Sequence, residues 1–205
     1  SIMINITNKD KPTYSYEDSK VSSDEHPKPN VTPSTAPTIK AVSLSKTSCT
    51  YDGKVKNPTI KVYNTEGKQL SSKYYTVSKP SGRKNVGKYK YTITFKNGYT
   101  GKKTLYFTIN PKPTKLTSLK KGSKRFTAKW KKVSAQASGY QIRYSMKSSM
   151  AKSKILTVKN YKATSKKITR LKKKKKYYVQ IRTYKTVSKA KYYSGWSRKK
   201  TVVTK

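Results

Sequence analysis

The sequence predicts an all-β protein made of two tandem β-sandwich domains that follow a disordered N-terminal linker. Short segments that alternate apolar and polar residues recur from about residue 41 onward, and no stretch has the period of an amphipathic helix. Gly, Asn, Asp and Pro separate these segments at close intervals, which is typical of sandwich strands and their turns. The 18 tyrosines favour strands and suit both a core and a surface.

The first forty residues are predicted to lie outside the two domains. Isoleucine alternates with other residues over 1–7, which we interpret as a short strand or as the end of an upstream domain in a processed or longer chain. Residues 8–40 are rich in Pro, Ser, Thr and Lys. Such a segment buries too little apolar surface to offset the entropy lost on ordering, so we expect a disordered linker there.

Residues 41–110 are predicted to form the first sandwich. Its strand-like segments are 41–45, 48–51, 58–63, 74–78, 88–95 and 103–109. The turn signals between them include Asp52-Gly53, Glu66-Gly67, Ser81-Gly82 and Asn97-Gly98. Alternation is cleanest over 88–95 and predicts one buried face, made of Tyr89, Tyr91, Ile93 and Phe95.

The motifs of this region resemble a bacterial Ig-like repeat. Tyr51-Asp52-Gly53 stands where that family opens its repeat, and Gly98-Tyr99-Thr100-Gly101 stands where the family closes it, with Gly98 in place of the usual Asn. The resemblance implies an Ig-like sandwich. It also implies a spacer or adhesive stalk, as found in secreted and surface proteins of Gram-positive bacteria.

Residues 114–205 are predicted to form the second sandwich, after a stiff Pro-containing joint at 110–113. Its predicted strands lie at 114–119, 125–131, 139–145, 154–158, 166–169, 177–183 and 199–203. The residues predicted to face inward on the second and third of these are Phe126, Ala128, Trp130, Tyr140, Ile142 and Tyr144.

A run of five lysines leads directly into the alternating segment that starts at Tyr177. A Leu, a polar turn and Tyr-x-Val-x-Ile predict a tyrosine corner, in which the Tyr hydroxyl bonds to backbone just upstream while the ring packs in the core. With Trp130, Tyr140 and Leu171, this pattern resembles a fibronectin type III domain over 114–205. That family usually has Pro and Gly in the turn before the Tyr, whereas this chain has lysines there. We expect this replacement to loosen the turn.

Charge is the strongest compositional feature. Fifty Lys and Arg residues face seven acidic ones, for a formal net charge of +43, and no residue from Gly67 to Lys205 carries a carboxylate side chain. Such a surface favours anionic partners, and a Lys-rich one suits a diffuse polyanion better than bidentate recognition. We expect a monomer that binds an anionic cell-wall polymer or polysaccharide, or other surface proteins, without membrane insertion.

Two candidate surfaces follow from the second domain. The candidate polyanion-binding residues are Lys172, Lys173, Lys174, Lys175, Lys176, Arg182, Lys199 and Lys200. The candidate stacking surface for sugars or bases consists of Tyr178, Tyr184, Tyr192, Tyr193 and Trp196. The structural alternatives are a solvated turn for the lysines and cross-strand packing of aromatic rings against long basic side chains for the second set.

No catalytic, cofactor or metal site is predicted. Cys49 is alone and suits a half-buried strand position, the single histidine is His26 in the linker, and the acids are scattered. The leading hypothesis is a non-enzymatic spacer or adhesion module of a bacterial extracellular or cell-wall protein. The alternatives are a non-specific polyanion or nucleic-acid binder, and the accessory C-terminal region of a secreted enzyme.

Overall fold

The computed structural model describes residues 38–205, and within that range the chain is nearly all β. The predicted upstream end at 1–7 and almost all of the predicted linker at 8–40 lie outside the described residues. The linker was predicted to end too late, because the first strand, β1, begins at Ile39. One 3-10 turn, Ser72–Tyr74, is the helical element of the described range. The all-β fold class is confirmed.

Six strands follow one another up to residue 110, each within two residues of a predicted segment. They are β1 (Ile39–Leu44), β2 (Ser48–Thr50), β3 (Ile60–Asn64), β4 (Tyr75–Ser78), β5 (Gly87–Phe95) and β6 (Lys102–Asn110). Strand β1 pairs with β3 in a two-stranded antiparallel sheet, and the other four form a sheet in the order β2-β6-β5-β4, with β2 parallel to β6. Asn97 and Gly98 have φ values of 54° and 97°, as the Asn-Gly turn signal predicts.

The described chain divides into two compact units. The first consists of residues 38–45, 59–79 and 91–105, and the second of 46–58, 80–90 and 106–205. The first unit has its own buried apolar side chains, among them Val42, Val62, Tyr91 and Ile93, each at most 2% exposed. The alternation predicted for β5 is therefore confirmed at its buried positions.

Eight further strands follow the joint at 110–113. They are β7 (Leu116–Gly122), β8 (Arg125–Trp130), β9 (Gly139–Ser145), β10 (Lys154–Val158), β11 (Ser165–Ile168), β12 (Lys176–Val187), β13 (Ala190–Tyr193) and β14 (Lys200–Val203). One sheet has the order β11-β8-β7, and the other has the order β10-β9-β12-β13, with β14 also paired to β12. Strand β13 was not predicted, because its hairpin partner is the extension of β12 beyond Thr183.

The two sheets of this region enclose one apolar core. Phe126, Ala128 and Trp130 of β8 are buried, as are Tyr140 and Ile142 of β9, so the inward faces predicted for both strands are confirmed. The partly buried Tyr144 packs against this core from its margin. Buried aromatic rings meet at preferred distances, with the centroids of Trp130 and Tyr140 5.2 Å apart.

The predicted tyrosine corner is present. Tyr177 is buried, and its hydroxyl accepts a hydrogen bond from the backbone N–H of Lys172 at 2.9 Å. The ring lies 6.4 Å from that of Phe126, within the core. The hydroxyl thereby satisfies a backbone donor just upstream while the ring is removed from water, as the motif requires.

The turn before Tyr177 is tied down by Thr204, contrary to the expectation that lysines would loosen it. The Thr204 hydroxyl accepts from the Lys175 N–H at 3.1 Å and donates to the Lys172 carbonyl at 2.6 Å. The Thr204 N–H also donates to the Lys175 carbonyl at 3.1 Å. Lys174 takes a positive φ of 52° without being glycine, and these bonds hold the turn in shape.

Candidate functional site

The lysine run, Lys172–Lys176, is fully at the surface. All five side chains are exposed, but they do not all belong to the turn as predicted, because Lys176 is the first residue of β12. The Lys176 ammonium lies 5.4 Å from the centroid of the Tyr178 ring. No Asp or Glu lies between Gly67 and Lys205, so no acidic side chain close in sequence balances these ammonium groups. The lysine run is therefore a local concentration of positive charge on the surface of the second unit.

The other three candidate polyanion-binding residues do not join the lysine run. Lys200 is exposed at the start of β14, opposite Val179. Lys199 is exposed, but its ammonium donates to the Ser148 carbonyl at 2.7 Å. Arg182 is half-buried in the middle of β12, where burial lowers the pKa of its guanidinium. Of the predicted set, only the lysine run is a continuous patch.

Arg182 belongs instead to a ladder of arginines and aromatic rings on the outer face of the β9–β12 sheet. Its guanidinium carbon lies 3.8 Å from the centroid of Tyr193 and 4.3 Å from that of Trp196, and Arg143 lies 4.4 Å from the same Trp196 ring. Cations over aromatic rings at such distances are attracted to the negative ring face. We call Arg143, Arg182, Tyr193 and Trp196 the arginine–aromatic ladder.

Two glutamines fix the arginines of this ladder. Arg182 donates from Nε and from one terminal nitrogen to Gln141 Oε1, at 3.0 and 2.7 Å, and Arg143 makes the equivalent pair of bonds to Gln180 Oε1, at 2.9 and 2.6 Å. The chain carries the same tripeptide, Gln-Ile-Arg, on both strands, at 141–143 and at 180–182. Antiparallel pairing about Ile142 and Ile181 places each Arg opposite a Gln. The repeated tripeptide is the sequence signal that could have predicted this pairing.

The segment between β13 and β14 holds Trp196 over this face. The Ser194 and Ser197 N–H groups donate to the carbonyls of Thr183 and Ile181, and the two serine hydroxyls accept from the N–H groups of the same residues. The two serine hydroxyls thus accept the β12 N–H groups that the carbonyls of a neighbouring strand would otherwise accept. They do so in the segment between β13 and β14, where regular strand pairing is interrupted. This arrangement anchors Trp196 between two points on β12.

The predicted stacking residues separate by burial. Tyr184 is 4% exposed, so it does not share an exposed face with the others; burial also raises the pKa of its phenol. Tyr178, Tyr192, Tyr193 and Trp196 are half-buried. Because guanidinium groups lie over Tyr193 and Trp196, the observed contacts correspond to the structural alternative, aromatic rings packed against long basic side chains.

Cys49 and a cleft beside β7 are further features of the described residues. Cys49 is half-buried in β2, as expected, and burial raises the pKa of its thiol. Residues 38–205 contain no cluster of three or more His, Cys, Asp or Glu side chains suited to a metal ion.

A cleft of about 440 Å³ beside the start of β7 is lined by residues 112–115 and 131–135, which include four lysines. Within this part of the chain, no helix has the length and apolar character needed to cross a membrane.

The fold of the described residues is that of an all-β protein of the sandwich class. Residues 111–199 match the family model of the fibronectin type III domain. The resemblance of 41–110 to a bacterial Ig-like repeat stays a prediction. A comparison with curated protein sequences gives no match.

Solved structures similar to the chain include fibronectin type III domains. The FN1–FN3 domains of chicken CNTN1 are 16% identical, with 82% of this chain and 67% of that chain covered and a TM-score of 0.42. The fn3 domain of human contactin 1 is 17% identical, covering 44% of this chain and 76% of that one, with a TM-score of 0.38. A structure described as "Myokine structure" is 14% identical over 45% of this chain and 94% of its own, with a TM-score of 0.37.

Proposed function

We propose that the chain is a non-enzymatic spacer or adhesion module of a bacterial extracellular or cell-surface protein, and that its basic surface holds it against anionic cell-wall polymers. The observation that carries the proposal is a fibronectin type III match over 111–199 in a region without any carboxylate side chain.

Charge supplies the binding step of this proposal. Among residues 38–205, Asp52 and Glu66 are the only acidic side chains, and Asp52 is already paired with Lys56 at 2.6 Å. That ion pair lowers the pKa of Asp52, so the carboxylate stays ionised and committed to its partner. Nearly all other lysines therefore need counter-ions from solution, and a polyanion that replaces many small ions gains affinity from their release.

The test uses purified Gram-positive cell walls, either intact or stripped of teichoic acid. The full chain is expected to sediment with intact walls at low salt, to be released as salt rises, and to remain in solution with stripped walls. Equal retention on stripped walls would contradict a polyanion partner and indicate binding to peptidoglycan. Failure to bind either preparation would refute wall association altogether.

Nucleic acid is the competing partner, and the same experiment addresses it. Duplex DNA at equal phosphate concentration is expected to displace the chain from intact walls only partly, because a Lys-rich surface without base-reading side chains discriminates poorly between polyanions. Complete displacement by DNA at equal phosphate concentration would favour the nucleic-acid alternative.

A further inference from the structure

A second basic surface lies on the outer face of the β11-β8-β7 sheet, which is not the sheet that carries the ladder. Thr127 of β8 is in register with Lys120 of β7 on one side and with Lys167 of β11 on the other. Arg125 and Lys129 stand two residues before and after Thr127 on β8 itself. We call Lys120, Arg125, Lys129 and Lys167 the basic sheet face.

The strand register places these four residues at the corners of a diamond, with the uncharged Thr127 at its centre. Neighbouring strands are about 4.8 Å apart, so the Cα positions of Lys120 and Lys167 are about 10 Å apart, and Arg125 and Lys129 are about 13 Å apart along β8. Adjacent corners are then separated by about 8 Å. Phe126 and Ala128, which alternate with these positions on β8, are buried, so Arg125 and Lys129 point outward.

The four cations have no internal partner. All four side chains are exposed, and none has a hydrogen-bond acceptor or an ion-pair partner within residues 38–205. The Arg143 and Arg182 guanidinium groups of the opposite sheet, in contrast, are engaged by glutamines and aromatic rings. The two outer arginines of one sheet are therefore engaged, while the four cations of the basic sheet face stay open to a ligand.

The neutral residues of this face indicate the chemistry of that ligand. Between the cations lie Ser118, Thr127 and Ser165, and no aromatic side chain occupies an outward position on these three strands. Single-stranded nucleic acids need stacking platforms for their bases, and sugar rings likewise pack on aromatic faces. A face with charges and small hydroxyls suits a flexible polymer whose repeats carry a phosphate but no ring.

We propose that the basic sheet face binds a linear poly(alditol phosphate), with successive phosphates seated near successive corners of the diamond. The inference rests on the proposed function, because it names the surface and the polymer class through which the module would be held at the wall. Three of the four cations are lysines, whose ammonium groups act as mobile point charges and can follow a flexible chain.

The test compares two charge-matched variants of the full chain, with synthetic poly(glycerol phosphate) as the probe. The sheet-face variant carries Lys120→Gln, Lys129→Gln and Lys167→Gln. The control carries Lys147→Gln, Lys154→Gln and Lys159→Gln, which are also exposed and lie in or beside the opposite sheet. The sheet-face variant is expected to bind about tenfold more weakly than the control. Its log–log salt slope is expected to be smaller by about 0.7 for each phosphate that the variant no longer neutralises, taking single-stranded DNA as the guide.

The outcomes separate this inference from the proposed function. If the wild-type chain binds neither intact walls nor poly(glycerol phosphate), the proposed function and the sheet-face assignment are both overturned. Tight wild-type binding with equal affinities of the two variants would overturn the sheet-face assignment alone. Stronger binding of the wild type to single-stranded DNA than to poly(glycerol phosphate) at equal phosphate concentration would overturn the polymer class.

A second measurement needs no variant and so does not depend on correct folding of the triple substitution. Lysine acetylation by a small reagent is followed by mass spectrometry with and without poly(glycerol phosphate). Lys120, Lys129 and Lys167 are expected to be protected several-fold more than Lys147, Lys154 and Lys159. Uniform protection of both groups would contradict a localised site and indicate diffuse charge association.

Discussion

Tyr177 illustrates at the scale of one residue how a side chain can serve the core and the backbone together. Its ring lies near Phe126 and Tyr144, while its hydroxyl accepts the Lys172 N–H. The hydroxyl is the only part of the side chain that a Phe would lack. The hydrogen bond and the packing can therefore be tested separately.

Tyr177→Phe is expected to lower the free energy of unfolding by about 1 kcal/mol or somewhat more, because the partly buried Lys172 N–H loses its acceptor. Urea denaturation followed by tryptophan fluorescence measures the change. Tyr178→Phe is the matched control, since the Tyr178 hydroxyl has no hydrogen-bond partner among the described residues. A stability equal to wild type in Tyr177→Phe would show that the corner bond contributes nothing.

Trp130 is the largest side chain of the second core and tests its packing. It is 3% exposed, and its ring lies 5.2 Å from that of Tyr140. Trp130→Ala is expected to cost roughly 3–5 kcal/mol by opening a cavity. Trp130→Phe, which keeps an aromatic ring, is expected to cost clearly less. Thermal melts of both variants give the comparison, and a wild-type melt for Trp130→Ala would contradict the assignment of β8 to the core.

At the scale of elements, strands of this protein are joined by side chains as well as by backbone. Ser194 and Ser197 bond both the N–H and the C=O groups of β12 where β13 and β14 leave a gap. Thr204 does the same for the lysine turn. A short hydroxyl can donate and accept at once, so it bridges backbone groups that a regular ladder does not reach.

Thr204→Val is expected to destabilise the second domain by about 1–3 kcal/mol, because it keeps the shape of the side chain but leaves the Lys175 N–H and the Lys172 carbonyl unpaired. Hydrogen exchange is expected to accelerate at the Lys175 amide in particular. Thr201→Val, at an exposed position of β14, which ends just before Thr204, serves as the control. Unchanged exchange at Lys175 would show that the turn is held by other contacts.

At the scale of the whole molecule, charge opposes folding. Fifty basic and seven acidic residues give +43, and compaction brings the cations closer together than in the unfolded chain. The attractive contacts of the arginine–aromatic ladder relieve this repulsion locally. Ions in solution must relieve the rest.

The melting temperature is therefore expected to rise with sodium chloride between about 0.01 and 0.1 M, as the screening length falls from about 30 to about 10 Å. Calorimetry or circular dichroism measures the shift, and sucrose additions that leave ionic strength unchanged provide the control for general solvent effects. The Gln variants of three lysines are expected to show a smaller dependence on salt. A melting temperature that falls or stays constant over this range would contradict repulsion as a major destabilising effect.

The sequence by itself determined the fold class, most strand positions, the inward faces of β8 and β9, the tyrosine corner and the excess of positive charge. These features depend on local periodicity and on composition, which a single strand carries in its own residues. The bond between Tyr177 and Lys172 spans only five residues, so the pattern around it was sufficient to predict it.

Only the tertiary structure decided which cations are engaged and which are open. Arg182 and Lys129 both alternate with buried residues, yet Arg182 meets Gln141 from another strand and Trp196 from a covering segment, whereas Lys129 meets neither. Tyr184 and Tyr193 differ in burial for the same reason. Periodicity tells which side of a strand a residue occupies, but the register with neighbouring strands and the path of the segment above them determine what it contacts there.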